Sequence, residues 1–558
     1  MDAKRVKNIT LFSGIFLSLF FAGGVFAASL GDVATFNVEQ NFESSENSKV
    51  QSVLVKSAGN LHFYVEKKWW DGQVLPKQNE ILVKLDVLET EFSQNIYPTL
   101  TSVYGPEWRP GVDGDSKITI LFHSIKDGVT GYFRSADEYV KLQIPDSNER
   151  EMLYMSLSFI ESQQLKVFLG HEFTHLIAFN QKDRLQDVQE EVWLNEARAD
   201  YASTILGYDD IYEGSNLQHR AKTFLEKPTD PLTEWQDGKY DYAVVNIFMH
   251  YLVDHYGINI LADSLKSKLV GIASINEMLL KNKYQEDFAQ IFTNWTITAM
   301  INECSLDQKY CYLNKNLRSL RINPILNFLP LSGNSTLTVT NVTKNWSGNW
   351  QKIIGGNGNL TLKFESLTGL NFKIPYIIFD KNNRYTLKFL ELGKDQKGEI
   401  SIKDFGIEYT SLIIMPSLQS KNSLFNGFEP TYPYTFTASI TGAVPEEDQE
   451  IIQRLLAQIE ELKRQIEAIQ KGGDQTPNEF CAVLNNNLYV GIRNIPEVKC
   501  LQQFLKSQGQ NIYPEGLVTG YFGALTKAAV IRFQKQYGIP STGFVGILTR
   551  TKINEILK

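Results

Sequence analysis

Two histidines four residues apart inside an apolar run, Gly170-His171-Glu172-Phe173-Thr174-His175-Leu176, constrain this chain more than any other stretch. Val167, Phe168, Leu169, Leu176, Ile177 and Phe179 around them predict a buried helix. Positions i and i+4 share one helical face, so both rings can reach a single cation. Glu196 follows 21 residues after His175, within Trp193-Leu194-Asn195-Glu196-Ala197-Arg198-Ala199-Asp200-Tyr201, a second helical pattern with an apolar side. Two imidazoles and a carboxylate suit Zn²⁺, which in a catalytic site takes three protein ligands and keeps a fourth position for water. His171, His175 and Glu196 are the expected ligands, and Glu172 the expected general base toward that water. Asp200, one helical turn beyond Glu196, is placed to accept the outer N–H of His171 or His175.

At 558 residues the chain is too long for one core. Its net charge of −8 and the lack of a glycine-rich phosphate loop argue against a nucleic-acid partner. Lys4, Arg5 and Lys7 precede an apolar run from Ile9 to Phe26 that ends Val25-Phe26-Ala27-Ala28. That is the layout of a secretory signal over residues 1–28, with an uncleaved anchor as the alternative. The expected location is therefore outside the cell or on the cell wall. Four cysteines fit that compartment as two local disulfides, Cys304 with Cys311 and Cys481 with Cys500.

Residues 29–300 read as an α+β catalytic domain. Within it, residues 29–80 alternate apolar and polar side chains, suggesting short strands with Trp69 and Trp70 as packing anchors, either a first sheet or a removable pro-region. Helical spacing runs from Glu80 to Tyr97. Asp113-Gly114-Asp115 reads as a turn before the strand Ile118–Phe122, since the rest of a calcium loop is missing. His123 has no metal partner at a recognisable spacing and is expected to be structural. Thr130–Arg134 and Val140–Ile144 look like a further strand pair, whose edge could pair with an extended peptide substrate.

The ordered set Phe92–Pro98, Asp113-Gly114-Asp115, Ile118–Leu121, Gly131-Tyr132-Phe133, Ser147-Asn148-Glu149, His171–His175 and Trp193–Glu196 resembles the hyicolysin-type metallopeptidases, of the gluzincin group that includes thermolysin. The resemblance covers roughly residues 60–260 and implies a gluzincin-like zinc endopeptidase acting on proteins, with the ligands and base already named. It departs at Ala197-Arg198-Ala199, where a glycine is expected after the ligand Glu. Relatives carry a tyrosine at the start of the helix that here begins near Tyr240-Asp241-Tyr242, which points to Tyr242 as the donor to the carbonyl oxygen. Tyr240 is the reserve, and His250 and His219 are more distant candidates. His250 and His255 are five residues apart, off one face, and so make no second metal site.

From Leu337 to Thr441 period-two runs separated by Asn/Gly turns predict a β-sandwich accessory domain over 301–443. Residues 444–477 read as a coiled-coil stalk and hinge, in which Ile452, Leu455, Ile459, Leu462, Ile466 and Ile469 follow a and d spacing and allow a weak homodimer through 452–469. In 478–558, Val518–Lys527 recurs as Ser541–Arg550, each copy a glycine-bearing turn feeding a Thr-started helix. With Val498–Leu505 and Ala529–Gln534 this resembles the small three-helix peptidoglycan-binding domain, implying peptidoglycan as a partner. The module carries nine Lys/Arg against four Glu, a surplus of five, which leaves −13 to the rest of a chain of net charge −8. That asymmetry suits docking to an anionic envelope. Two other activities remain open at this stage: hydrolysis of peptidoglycan stem peptides, and wall binding without catalysis.

Overall fold

The structure is a computed structural model and describes residues 29–44, 47–425, 427–442, 483–492 and 496–557. The expected signal at 1–28 and the stalk with its dimer seam at 452–469 lie outside the described residues. The chain forms two compact units, up to Glu446 and from Glu447 onward.

The first unit begins with β1 (Val33–Asn37), β2 (Lys49–Ala58) and β3 (Leu61–Glu66), followed by α1 (Lys67–Asp71), α2 (Leu75–Glu91), α3 (Tyr97–Tyr104), β4 (Ile118–His123), β5 (Gly131–Phe133) and β6 (Met152–Ser156). The strands join in the order β1-β2-β3-β4-β6-β5. The centre, β3-β4-β6, is parallel, and β2 and β5 flank it antiparallel. Strands buried on both faces carry near-continuous apolar runs. Leu61, Phe63, Val65, Ile120 and Phe122 face the large helical core, whereas Tyr64, Leu121, Tyr132 and Tyr154 face a smaller one.

Residues 29–66 thus supply three of the six strands, with β3 next to the centre of the sheet. That placement favours the first-sheet alternative over a removable pro-region. Deleting residues 29–58 is expected to leave β3 an open edge and yield insoluble or unfolded protein. Circular dichroism of the truncated chain checks this, and a cooperative unfolding transition would refute it.

Trp69 and Trp70 do pack against the core, as expected of anchors, but from α1 and not from a strand, so the strand reading of 67–80 is corrected. Val140–Ile144 is a turn, not a strand, with Leu142 95% exposed. Its alternation misleads because Ser147 Oγ donates to the Tyr139 carbonyl and Lys141 N–H to Glu149, tying the segment back on itself.

The helices α4 (Leu165–Ala178), α5 (Val192–Ile205), α6 (Asn216–Glu226), α7 (Lys239–Tyr256), α8 (Asn259–Ser264), α9 (Gly271–Lys281) and α10 (Phe288–Ile301) cover one face of the sheet. The helical core does not stop at residue 300. It continues through Tyr310, Tyr312, Leu317 and Ile322, so the expected boundary at 301 moves to just before Ile325. Cys304 and Cys311 pair in that segment, as expected.

The β-rich region comprises β7 (Ile325–Leu329), β8 (Ser335–Thr343), β9 (Gln351–Gly355), β10 (Gly358–Ser366), β11 (Phe372–Lys373), β12 (Pro375–Asp380), β13 (Tyr385–Phe389), β14 (Lys397–Phe405), β15 (Tyr409–Ile414), β16 (Ser417–Leu418) and β17 (Tyr432–Thr441). β7-β9-β15-β12-β13 and β14-β10-β17-β8 form two halves, joined by the single pair Phe405 and Tyr409. Both halves contribute to one core, with Ile353, Ile378 and Leu412 from the first and Leu362, Phe364 and Phe436 from the second. On the outer face of β8 and β17, Thr338 and Thr340 pair hydroxyl to hydroxyl with Thr437 and Thr435 at 3.1 and 2.9 Å. That is the apolar-in, polar-out alternation read from the sequence. The loop after β8 drives Trp346 against Phe288 and Phe292 of α10, at ring separations of 5.1 and 5.4 Å, and Trp350 Nε1 donates to the Thr296 carbonyl.

The second unit contains α11 (Pro496–Ser507), α12 (Ala524–Gln536) and α13 (Ile547–Leu557) around Leu501, Phe504, Phe522, Val530, Phe533, Val545 and Ile553. The sequence echo has a matching structure. Gln502 accepts from Thr519 and Gly520 N–H and donates to Tyr521 O and Thr526 Oγ1. Gln534 accepts from Gly543 N–H and donates to Phe544 O and Thr549 Oγ1. Each buried amide clamps the turn that starts the next helix. Cys500 is disulfide-bonded, while Cys481 lies outside the described residues.

Candidate metal centre

α4 packs along α5, and the pairing brings the three expected ligands together. His171 Nε2 and His175 Nε2 lie 3.2 Å apart. Glu196 Oε2 is 3.3 Å from the first and Oε1 3.5 Å from the second. One donor atom from each residue falls within 4.8 Å of the others, and this is the one such group of His, Cys, Asp or Glu among the described residues. Two ring nitrogens facing each other and a carboxylate oxygen that is buried without a hydrogen bond leave lone pairs converging on a common point. The donor set therefore fits a divalent cation. The cluster keeps an opening, with the His171 and Glu196 side chains 19% and 17% exposed.

Neighbouring charges favour the charged forms of His171 and Glu196. Burial alone would lower His171, but Glu196, Glu172 and Asp200 overcome it and raise the imidazole to about 9. Burial would likewise raise Glu196, yet the two imidazoles hold its carboxyl far below the usual carboxylate range.

Glu172 is buried on α4 against β5. The backbone N–H of Phe133 donates to its carboxylate, and burial raises its pKa, tempered by His171 and His175. Gly131 makes this approach feasible, because a Cβ there would come within 2.7 Å of the Tyr154 carbonyl and 3.3 Å of Glu172 Cγ. Sequence reasoning placed Gly131 and Phe133 in a strand but did not connect them to Glu172. The signal was weak, a three-residue strand with a glycine at its start.

Asp200 is not where it was expected to act. Its carboxylate is taken up by Arg220, at 2.6 and 3.1 Å, and by Asn246 Nδ2 at 2.8 Å, and it makes no hydrogen bond to His171 or His175. A guanidinium fork satisfies both carboxylate oxygens and outcompetes a single imidazole N–H. Arg220 and Asn246 were missed. Asn246 could have been found, since it stands four residues after Tyr242 on the same face of α7.

Tyr242 does reach the site. Its ring lies 6.2 Å from that of His171, is met edge-on by Trp235 at 4.8 Å, and carries the Arg220 guanidinium 4.8 Å above it. Its hydroxyl donates to Asp237 at 3.3 Å, and burial with the surrounding carboxylates keeps it a phenol. Tyr240 instead bonds Glu226 on the exposed side. His250 is a core histidine between Thr204 and Asn314, pushed down to about 4 by burial. His219 is exposed on α6, and His255 contacts the Cys311 carbonyl. His123 is buried against Glu43 and Tyr132, as a structural residue should be. Asp113 and Asp115 form a turn, each side chain capping an N–H two residues on.

No helix among the described residues is long and apolar enough to cross a membrane. The chain matches no curated protein. Among solved structures, a Yersinia pseudotuberculosis-derived mitogen shares 11% identity over 20% of this chain and 92% of its own, at a TM-score of 0.14. The pre-peptidase C-terminal domain of a Bacillus anthracis collagenase shares 6% over 21% and 96%, also at 0.14. Likenesses at these scores carry no argument about fold or function. Residues 494–553, by contrast, match the family described as "Putative peptidoglycan binding domain". The chain carries a peptidoglycan-binding domain at its C-terminus.

Proposed function

We propose that this chain is an exported zinc endopeptidase held at the cell wall by its C-terminal domain. The observation that carries the reading is the convergence of His171, His175 and Glu196, with Glu172 one residue from the first ligand. The basic start and apolar run at residues 1–28 support export. Bound zinc would supply Lewis-acid activation of water and of the scissile carbonyl.

The protein's own groups do the rest. The substrate backbone pairs with β5, the last strand in the sheet order, which lies against α4. Glu172, held by the Phe133 N–H, takes a proton from the attacking water and hands it to the leaving amine. The Tyr242 hydroxyl turns from Asp237 to donate to the carbonyl oxygen as charge builds there.

The test is hydrolysis of casein by the purified chain, abolished by a zinc chelator and restored by Zn²⁺. Tyr242→Phe keeps the contacts with Trp235 and His171 and removes only the donor. It is expected to lower kcat by about 10²-fold with little change in KM. Steady-state kinetics decide, and an unchanged kcat would remove Tyr242 from the mechanism.

The peptidoglycan-binding domain favours a second reading, cleavage of wall stem peptides. Zymography on purified wall beside the casein assay separates the two substrates. A chain that binds wall, takes up no zinc and cleaves neither would be an adhesion protein.

A further inference from the structure

The second unit keeps large aromatic rings on its surface. Tyr489 and Phe544 are 52% and 41% exposed, yet they stack on each other with ring centroids 6.1 Å apart and planes 25° from parallel. Tyr521, 42% exposed, holds the matching place in the first of the two echoed turns. Tyr521-Phe522-Gly523 and Phe544-Val545-Gly546 are built alike, with the middle residue buried in the core and the aromatic before it facing out. Exposed apolar clusters of this kind mark binding surfaces.

These rings are held in place. Gln502 donates to the Tyr521 carbonyl and Gln534 to the Phe544 carbonyl, both at 2.9 Å. Each ring then lies over the glycine two residues on, where a Cβ would meet it at 3.1 Å in Gly523 and 2.9 Å in Gly546. Neither glycine has a positive φ, so the ring, and not the backbone, requires it. The strip 488–492 joins the two turns. Leu488 and Val545 exchange N–H···O bonds of 3.3 and 2.9 Å, and Phe522 bonds Gly491 and Ile492 at 3.0 and 2.8 Å. Leu488 and Gly491 are three residues apart, about 10 Å of chain, so the turns sit side by side. Leu488 is buried, which turns its neighbours Asn487 and Tyr489 outward. Asn487 accepts from the Arg550 guanidinium, which also donates to the Val545 carbonyl at 3.2 Å. A polar edge thus borders the stacked rings.

A pyranose ring is complementary to such a surface. One of its faces presents C–H groups that pack on an aromatic plane, and its edge carries hydroxyl and amide groups for the polar rim. Stem peptides carry free carboxylates, which call for an unengaged cation, and Arg550 is already shared between Asn487 and a carbonyl. Tyr521 and Phe544 fall within the residues that match the peptidoglycan-binding family.

We propose that Tyr489, Phe544 and Tyr521 are the surface on which this domain holds the glycan strand of peptidoglycan, the rings stacking on its sugars, with Asn487 and Arg550 toward their N-acetyl groups. This deepens the wall-anchoring reading and rests on it, and it does not depend on the His/Glu cluster. Rings fixed before binding lose little further freedom on contact, which lets a small area contribute affinity.

Co-sedimentation of the full chain with purified peptidoglycan tests the surface, with Glu172→Gln as the parent so that no wall is degraded. Phe544→Leu and Tyr489→Leu keep apolar bulk and remove the aromatic plane, and each is expected to weaken binding about tenfold. Phe544→Tyr keeps the plane and should bind like the parent. Gly546→Ala leaves the backbone unstrained but pushes the Phe544 ring aside, so it should weaken binding several-fold and serves if a ring variant does not fold. Glycan fragments stripped of stem peptides should compete, and free stem peptides should not. Equal binding by the parent, both Leu variants and Gly546→Ala, or competition by stem peptides alone, overturns the proposal and leaves wall anchoring standing. A parent that does not sediment with peptidoglycan overturns both.

Discussion

If the chain is the zinc endopeptidase proposed above, Glu172→Gln is expected to lower kcat against a protein substrate by roughly 10²–10⁴-fold without loss of zinc. Gln preserves the volume of the buried side chain and can still accept the Phe133 N–H, so α4 and β5 stay in place. What is lost is the atom that takes the water's proton. No neighbour replaces it. Glu196 is held far below the usual carboxylate range by two imidazoles, and the Asp237 carboxylate already accepts the Tyr242 hydroxyl. Metal analysis beside progress curves is the measurement. Zinc retained with activity within tenfold of the parent would dismiss Glu172 as the base.

Arg198→Ala destabilises the first unit by about 3–5 kcal/mol, because it strands a buried carboxylate. Arg198 is fully buried and donates to Glu190 at 2.8 Å, to Ser264 Oγ and to the Leu261 carbonyl. Glu190 keeps the Gly271 N–H, and Lys182 stands 3.7 Å away. That lysine is already committed to the Ser264 and Ser267 carbonyls, and burial pushes it down to about 8. It makes a poor substitute partner. Denaturant unfolding gives the number. Adding Glu190→Gln to Arg198→Met should recover part of the loss, and a double variant no better than the single would deny the pairing.

This residue also explains the departure seen in the sequence. Where the resemblance expects a glycine after the ligand Glu, Ala197 is fully buried and Arg198 anchors α5 to the loop ahead of it. The cluster itself was legible in the spacing because His171, His175 and Glu196 depend on two local helices and one packing contact. The partner of Asp200 was not. It depends on Arg220 from α6 and Asn246 from α7, positions fixed by tertiary packing that no local period encodes. The runs around Leu337, Leu360, Tyr385 and Tyr434 did become strands, since one face of each pleat had a core to meet. Val140–Ile144 shows the same alternation without such a core and turns instead. The boundary near 301 was misplaced because composition changes there, whereas apolar packing continues to Ile322.

Trp346 and Trp350 bear on how such proteins can be recombined. Both indoles reach from the β-rich region into the helical lobe, and Trp350 holds a carbonyl of α10. A chimera spliced near residue 323 would carry off part of the helical lobe's own interior, so the pair must travel together. The peptidoglycan-binding domain belongs to the other compact unit, from Glu447 onward, and is the natural piece to exchange for another anchor.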